Sequence, residues 1–216
     1  MRRGLHKVIG VDLLTDHTFS LRLERKDVTF LAGQCFNIGL PDTAVNREYS
    51  SYSSVFDDEL QFLVREIEGG QVSPKLKLLK PGDSVEVDGA YGLFTIDPEL
   101  VPNHSFYFIG TGTGIAPFHC FVKSLPGLDY KIIHGTRYVN EAYNRFDYSN
   151  GRYINCATHD KMADFNGRVT DYLLANPPPR AAIYYLCGNR NMINDVYDIL
   201  RERDISSSQI ITEVFF

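Results

Sequence analysis

The sequence lacks the features that mark membrane, secreted and metal-cluster proteins. No run of about 18 apolar residues occurs, so no membrane-spanning helix is expected. The charged N-terminus is not followed by an apolar segment, and no secretory signal is predicted. The four cysteines lie more than 30 residues apart, which argues against a disulfide framework, a zinc ribbon and a cysteine-ligated iron–sulfur cluster. These absences predict a cytoplasmic protein.

A strong excess of charge of one sign is also absent. The 216 residues include 22 lysines and arginines and 27 aspartates and glutamates, for a net charge of −5. A protein that binds nucleic acid through bulk positive charge is therefore not expected. With 44% hydrophobic and 23% charged residues, the composition is that of an ordinary globular protein.

The first hundred residues are predicted to form a small antiparallel β-barrel. Apolar and polar residues alternate at 19–24, as in a half-buried strand, and further strands are expected at 60–67 and 84–88. Many short strands at close spacing are typical of a barrel. One helix is predicted at 74–79, with Ser73 as its N-cap and proline at its first position.

The second half is predicted to form a parallel α/β domain. Continuous apolar runs, typical of strands buried on both faces, occur at 106–109, 130–133, 152–155 and 183–187. Helical patterns lie between these runs, and the one at 192–200 has its apolar residues on a single face. We place the boundary in the polar turn at 97–103, which gives domains of residues 1–100 and 101–216.

A glycine-rich turn, Gly110-Thr-Gly-Thr-Gly-Ile-Ala-Pro117, follows one apolar run and opens a helix. Glycines let backbone N–H groups approach a phosphate, and a helix N-terminus favours negative charge. The turn does not fit the G-x-G-x-x-G fingerprint, because counting from Gly110 or Gly112 puts Ile115 or Pro117 at the last position. A phosphate site and an ordinary strand-to-helix turn both remain open.

Two further segments carry side chains suited to a nucleotide or a flavin. The strand after the glycine turn ends at Arg137, where enzymes that prefer NAD often have an acidic residue, so this arginine suits a 2′-phosphate. Residues 47–54 combine an arginine, a tyrosine ring and a row of hydroxyls. The alternatives are a solvated arginine and an ordinary polar strand, and composition alone does not separate them.

Five motifs occur in the order seen in ferredoxin–NADP reductases. They are Arg47-x-Tyr49-Ser50-x-x-Ser53, Gly70-Gln-Val-Ser73, Gly110-Thr-Gly-Thr-Gly-Ile-Ala-Pro-Phe118, Cys187-Gly-Asn189 and Glu213-Val-Phe-Phe216. The sequence resembles this family over nearly its whole length, and it is most similar to the bacterial ferredoxin/flavodoxin branch. The resemblance implies a two-domain chain, with an FAD-binding antiparallel β-barrel followed by an NAD(P)-binding α/β domain with a parallel sheet.

The resemblance also implies a set of FAD-binding and catalytic residues. Arg47 would bind the FAD pyrophosphate, Tyr49 would stack on the isoalloxazine, and Ser50 would hydrogen-bond near flavin N5. Phe216 would cover the other flavin face until nicotinamide displaces it. The remaining FAD residues are Glu48, Ser53, Gln71, Val72, Ser73 and Thr113, of which 71–73 would hold the phosphates. The implied catalytic residues are Ser50, Cys187, Glu213 and Phe216, with Cys187 and Glu213 flanking the reacting ring.

For the nicotinamide nucleotide, the resemblance implies a site at the ends of the second-domain strands. Its residues would be Gly112, Thr113, Gly114, Thr136, Arg137, Thr158, His159, Arg168, Gly188, Asn189 and Met192. Related NADP-specific proteins usually have Ser-Arg-Glu where this chain has Thr158-His159-Asp160. Because histidine is mostly neutral at pH 7, one contact to the 2′-phosphate is weakened. Arg137 and Arg168 keep the other two, which favours NADPH with reduced discrimination against NADH.

The implied activity is FAD-dependent electron transfer between NADP(H) and ferredoxin or flavodoxin, by hydride transfer at flavin N5. An NAD(P)H-dependent flavin reductase and the reductase component of an oxygenase system are alternatives on the same fold. A third alternative is a nucleotide-binding electron-transfer subunit without turnover, although the related dihydroorotate dehydrogenase subunit has a C-terminal cysteine cluster that this sequence lacks.

An acidic carrier would need a local basic face. Two candidate faces are Arg2, Arg3, Arg22, Arg25 and Lys26, and Lys75, Lys77 and Lys80.

Overall fold

Two six-stranded sheets organise residues 3–215, the part of the chain that the computed structural model describes. The chain divides into two units. The first unit contains the residues through Ile96 together with His119–Ser124. The second contains Asp97–Phe118 and the residues from Leu125 onward.

The sheet of the first unit is an antiparallel barrel, as the sequence predicted. Its strands are β1 (Gly4–Leu13), β2 (Thr18–Glu24), β3 (Cys35–Gly39), β4 (Asn46–Ser50), β5 (Glu59–Arg65) and β6 (Ser84–Tyr91). They pair in the order β4-β3-β6-β1-β2-β5. A bridge between Ser51 and Phe62 joins the end of β4 to β5, and the Tyr52 N–H donates to the Gln61 carbonyl at 2.8 Å. These contacts connect the two outer strands and close the barrel.

The alternating residues of the strands build the core of the barrel. Leu21, Leu23 and Phe62 are fully buried in one cluster, where Phe62 contacts Phe36 edge to face at a centroid distance of 5.6 Å. One detail of β2 differs from the half-buried strand predicted by its alternation. Ser20 is 3% exposed, because its hydroxyl accepts a hydrogen bond from the side-chain amide of Gln61 at 2.7 Å.

The predicted helix of the first unit is present but shorter. It spans Ser73–Lys77 (α1), and its N-cap position is Val72, so the prediction that Ser73 is the N-cap was wrong. Ser73 is the first helical residue, and its hydroxyl accepts a hydrogen bond from the Ile67 N–H at 3.0 Å. The Ser73 side chain therefore stabilises the turn before α1 and does not cap the helix N-terminus.

The sheet of the second unit is parallel. Its strands are β7 (Ser105–Thr111), β8 (Asp129–Thr136), β9 (Tyr153–Ala157), β10 (Phe165–Asn166), β11 (Ile183–Gly188) and β12 (Ile210–Val214). They are arranged in the order β10-β9-β8-β7-β11-β12, and each neighbouring pair is parallel. The four apolar runs of the sequence form β7, β8, β9 and β11. The order reverses between β7 and β11, and ligands of such sheets bind beyond the carboxyl ends of the strands at this point.

Three further helices connect these strands. They are α2 (Ala116–Ser124), α3 (Val169–Ala175) and α4 (Arg190–Arg201). Short 3₁₀ turns occur at Pro98–Leu100, Gly112–Ile115, Val139–Glu141, Arg145–Asp147 and Ser207–Gln209. Met192, Val196 and Leu200 lie on the buried face of α4, as their spacing predicted. Within residues 3–215, none of the helices is both long enough and apolar enough to cross a bilayer.

Phe62 and Phe56 provide a test of the barrel core. Replacing Phe62 with alanine removes a fully buried ring, and we expect a loss of about 3–5 kcal/mol in the free energy of unfolding. Phe56 is 71% exposed, and Phe56→Ala should change that free energy by less than about 0.5 kcal/mol. Urea titrations followed by circular dichroism measure both effects. Equal losses from the two variants would contradict the assignment of Phe62 to the core.

Candidate functional site

Glycines bring the carboxyl ends of β7 and β11 into backbone contact. A Cβ atom on Gly114 would lie 2.5 Å from the carbonyl oxygen of Cys187, and one on Gly188 would lie 2.7 Å from the Thr111 hydroxyl. Gly188 also has a φ of +122°, which disfavours other residues. The two chain segments can approach this closely only because these positions have no side chains.

Gly112 differs from these glycines because the space above it is open. Its φ is +54°, and within the described part of the chain no heavy atom lies within 4 Å of the position a Cβ would take. The residues Gly112–Ile115 form a 3₁₀ turn that leads into α2. An open glycine before a helix N-terminus suits an anionic group, because backbone N–H groups and the helix dipole both favour negative charge.

A buried histidine that the sequence analysis did not single out lies against this turn. His134 Nε2 is 2.8 Å from the Gly112 carbonyl oxygen, and its Nδ1 is 2.8 Å from the Tyr153 hydroxyl. A carbonyl only accepts, so Nε2 carries the proton and Tyr153 donates to Nδ1. Burial lowers the pKa of His134 to about 4, so the ring is neutral. A histidine following the apolar pair Ile132 and Ile133 was the available sequence signal.

Cys187 and Glu213 are paired in the register of β11 and β12. The Cys187 Sγ lies 3.9 Å from Glu213 Oε2. Burial and the neighbouring carboxylate both raise the pKa of the Cys187 thiol, so the thiol keeps its proton at neutral pH. The two residues that the resemblance assigns to the reacting ring therefore lie side by side on adjacent strands.

Asn189 connects the end of β11 to α4. Its side-chain oxygen accepts hydrogen bonds from the N–H groups of Asn191 at 2.9 Å and Met192 at 3.3 Å, which makes it the N-cap of α4. Its own N–H donates to the Thr111 hydroxyl at 3.1 Å. Met192 is 8% exposed and packs in the core with Val196. Asn189 therefore links the start of α4 to Thr111, next to the glycine contact. Met192, by contrast, is part of the hydrophobic core.

The residues expected to bind the 2′-phosphate follow neighbouring strands. The N–H groups of Thr158 and His159 donate to the carbonyls of Thr136 and Arg137, at 3.3 and 2.9 Å. Arg168 is the N-cap residue of α3, which follows β10, and its own N–H donates to the Asp171 side chain at 2.8 Å. The side chains of Arg137, His159 and Arg168 are all exposed.

Thr136 is buried, and its hydroxyl accepts a hydrogen bond from the Asn155 amide at 2.9 Å. Arg137, His159 and Arg168 thus follow the ends of three adjacent strands, β8, β9 and β10, with exposed side chains. Thr136 is instead buried and hydrogen-bonded within the protein.

In the first unit, four of the ten residues expected to bind FAD lie on β4. Arg47 is exposed, and its guanidinium donates to the Asn46 carbonyl at 2.7 Å. Tyr49 is half-buried against the barrel core, and burial raises the pKa of Tyr49 to about 12, so its hydroxyl stays protonated. Glu48 Oε1 lies 2.6 Å from the thiol of Cys35. Ser50 is 4% exposed.

The other expected FAD residues differ in exposure. Gln71 is exposed, whereas Val72 and Ser73 are buried at the start of α1. Ser53 is 1% exposed, and its hydroxyl accepts a hydrogen bond from the Gln61 N–H at 3.0 Å, so it contributes to barrel closure. Tyr49 and Val72 pack on the same hydrophobic cluster. Phe216 lies outside the residues that the structure describes.

Several of the basic residues considered as a docking face are neutralised by carboxylates. Arg22 pairs with Asp12 at 2.9 Å and with Glu59 at 3.1 Å. The further ion pairs are Arg3 with Glu86, Lys26 with Glu24 and Lys77 with Glu66. Arg25 donates to the carbonyls of Val28 and Asp57, and Arg2 lies outside the described residues. Lys75 and Lys80 are exposed on and just after α1.

Comparisons with known proteins relate the chain to ferredoxin–NADP reductases and to an oxygenase electron transfer component. A family model for an oxidoreductase FAD-binding domain matches residues 8–96. The ferredoxin–NADP reductase of Azotobacter vinelandii is 26% identical over 91% of this chain and 88% of its own length. The electron transfer component of Pseudomonas putida toluate 1,2-dioxygenase is 28% identical over 96% of this chain and 66% of its own. Two relatives with the name flavodoxin/ferredoxin–NADP reductase align over 56% of their own length.

A solved structure shows the same fold. The ferredoxin NADP+ reductase of Neisseria gonorrhoeae, with bound FAD and NADP, superimposes with a TM-score of 0.84 at 22% identity. The superposition covers 100% of both chains. The order of a closed antiparallel barrel followed by a parallel α/β sheet is therefore that of a known two-nucleotide flavoprotein fold.

Gly114 offers a test of the glycine contact. In Gly114→Ala the new methyl group meets the Cys187 backbone, and we expect a loss of about 1–3 kcal/mol in stability and weaker binding of NADP+. The control is Gly127→Ala, whose φ of +81° is also unfavourable but whose Cβ position is open. It should cost about 1–2 kcal/mol and leave nucleotide affinity unchanged. Calorimetric titration with NADP+ measures the nucleotide affinity of both variants. Unchanged affinity in Gly114→Ala would contradict a role of the glycine contact in nucleotide binding.

Proposed function

Because this chain is similar to ferredoxin–NADP reductases in sequence and in fold, we propose that it is an FAD-dependent oxidoreductase of that family and that it passes electrons between NADP(H) and a one-electron carrier, ferredoxin or flavodoxin. FAD and NADP(H) are its cofactors. The observation that best supports this proposal is the side-chain-free contact between β7 and β11, with Gly112 open before α2. That arrangement suits the phosphates of a dinucleotide.

The donor set of the first unit fits FAD. The exposed guanidinium of Arg47 can form two parallel hydrogen bonds to a phosphate. Two residues further on, the half-buried ring of Tyr49 rests on the barrel core, which holds it in place for stacking on a flat ring system. Ser50 supplies a hydroxyl for a flavin ring atom. When bound, FAD supplies the chemistry that links hydride transfer to single-electron release.

In the second unit, different residues would bind the 2′-phosphate and the pyrophosphate of the nucleotide. We assign binding of the 2′-phosphate to Arg137 and Arg168, which are exposed at the strand ends, and binding of the pyrophosphate to the turn at Gly112, Thr113 and Gly114. Cys187 holds its proton on Sγ, because burial and Glu213 oppose ionisation. A neutral thiol adds no negative charge beside the place that we assign to the nicotinamide ring.

The similarity to the toluate dioxygenase component supports a second candidate. In that case the carrier would be an oxygenase partner rather than a free-standing ferredoxin or flavodoxin. We also propose a reducing, cytoplasmic location, because Cys35, Cys120, Cys156 and Cys187 are all free thiols.

An anaerobic assay with NADPH tests the proposed function. The protein should retain FAD through gel filtration and should reduce ferredoxin or flavodoxin with NADPH as donor. Loss of flavin on the column, combined with reduction of free FMN or FAD, would instead identify a flavin reductase. Reduction of an oxygenase component, with no activity toward ferredoxin or flavodoxin, would favour the second candidate.

Arg47 is the residue whose loss should release flavin. Arg47→Ala removes the guanidinium that we assign to the FAD phosphates, and no other arginine lies on β4, so we expect purified protein with little FAD. The matched control is Arg22→Ala, which removes the two surface ion pairs with Asp12 and Glu59 and should cost about 1 kcal/mol or less for each pair. Absorbance at the flavin band relative to protein gives occupancy. Full occupancy in Arg47→Ala would exclude its role in pyrophosphate binding.

The preference for NADPH provides a separate prediction. Arg137→Ala and Arg168→Ala should each weaken NADPH binding by about 1.5–3 kcal/mol, or about 13- to 160-fold, with little change for NADH. Arg152→Ala is the control, because this arginine pairs with Asp129 at 2.7 Å on the surface. Dissociation constants for both nucleotides decide the matter. Equal losses for NADPH and NADH would show that neither arginine contacts the 2′-phosphate.

A further inference from the structure

His134 has no role in the chemistry described so far, yet it is one of the most completely enclosed polar side chains in the second unit. It is 0% exposed, and both ring nitrogens have partners. Burying an imidazole removes it from water, and that is tolerated only when its nitrogens are hydrogen-bonded. The partner on one side is the carbonyl of Gly112, a residue of the proposed pyrophosphate turn.

We propose that His134 is a positioning residue that orients the Gly112–Thr113 peptide for the pyrophosphate of the nicotinamide nucleotide. This inference rests on the proposed function, because it requires that a dinucleotide binds at this turn. The histidine does not touch the ligand. It acts through the peptide unit to which it donates.

The direction of the peptide follows from simple geometry. The Gly112–Thr113 bond is trans, so its C=O and N–H point in opposite directions. Since the carbonyl is directed at His134 Nε2 at 2.8 Å, the Thr113 N–H is directed away from the buried side of the turn. That is the orientation in which a backbone donor can meet a phosphate oxygen.

Gly112 in particular needs a restraint on its backbone conformation. Glycine has the broadest range of backbone conformations, and among residues 3–215 no heavy atom lies within 4 Å of the position that a Cβ on Gly112 would take. Gly114 and Gly188 are instead confined by their backbone contacts. The hydrogen bond from His134 supplies the restraint that packing does not.

The rest of the network holds the histidine in the required tautomer. Tyr153 donates to Nδ1 at 2.8 Å, which leaves the proton on Nε2. The ring of Tyr153 stacks on Tyr148 at 5.0 Å with an interplanar angle of 3°, so the hydroxyl has a fixed direction. A neutral histidine with a fixed tautomer is a constant donor to the turn across the physiological pH range.

A pair of amide variants tests the proposal. In His134→Gln the amide nitrogen can occupy the place of Nε2 and donate to Gly112. In His134→Asn the amide is one methylene shorter, so it lies near the place of Nδ1 and cannot reach Gly112. The two variants are otherwise similar in polarity and burial, which makes each the control of the other.

The probes are NADP+, which has the pyrophosphate, and 2′-AMP, which has only the 2′-phosphate end. We expect His134→Asn to weaken NADP+ about 2- to 13-fold, the effect of one hydrogen bond, with unchanged affinity for 2′-AMP. His134→Gln should bind NADP+ like the parent protein. A general structural defect would instead weaken both probes together, and that result, or unchanged NADP+ affinity in His134→Asn, would overturn the proposal.

A measurement on the unmodified protein keeps the inference testable if a variant does not fold. Long-range ¹H–¹⁵N spectra report which imidazole nitrogen of His134 is protonated, and we expect a proton on Nε2 and none on Nδ1. A proton on Nδ1 alone would remove the donor to Gly112 and overturn the proposal. If the parent protein binds 2′-AMP but not NADP+, or neither, the proposed function itself fails, which is distinct from failure of the role of His134.

Discussion

The close approach of β7 and β11 at their carboxyl ends is the constraint on which the nucleotide-binding half depends. The carbonyl of Cys187 lies where a side chain on Gly114 would have to be, and Thr111 lies where a side chain on Gly188 would have to be. This contact places the open glycine, the N-terminus of α2 and the N-cap of α4 at one crevice. The parallel order of the strands, reversing at these two, is what creates that crevice.

Burial keeps several groups of the candidate site uncharged, whereas the arginines that we propose to bind phosphates are exposed. His134, Cys187 and Tyr49 are each shifted toward their neutral forms by desolvation. Arg47, Arg137 and Arg168, by contrast, are exposed. Exposed cations contact phosphates through solvent-accessible pairs, which salt screens. Nucleotide affinity should therefore fall with ionic strength, while the shape of the crevice stays the same.

The order of the strands and the location of the glycine turn could be predicted because they depend on local patterns. Continuous apolar runs and alternating residues report burial directly, and glycines after a strand report a close backbone approach. The cap of α1 was predicted wrongly, because the Ser73 hydroxyl accepts from the Ile67 N–H, six residues earlier, and the capping pattern does not take this competing partner into account. The burial of Ser20 depends on a more distant residue, since Gln61 reaches it from another strand.

The individual site residues were predictable to different degrees. Cys187 and Glu213 were assigned to the site by resemblance alone, and their neighbouring positions on β11 and β12 were not predicted. His134 was missed, because its importance arises from Gly112 and Tyr153, which are 22 and 19 residues away in sequence. Met192 had a helical position that identified it as a core residue, and its low exposure agrees with that simpler interpretation.

The central claim is that the glycine turn after β7 and the end of β11 together receive the phosphates of the nicotinamide nucleotide. Hydrogen–deuterium exchange with and without NADP+ measures this most directly, because it reports individual backbone segments. We predict protection of residues 110–116 and 187–190 on adding NADP+, with unchanged exchange at the surface turn around Gly127. Protection elsewhere in the second unit, with no change in these two segments, would contradict the account.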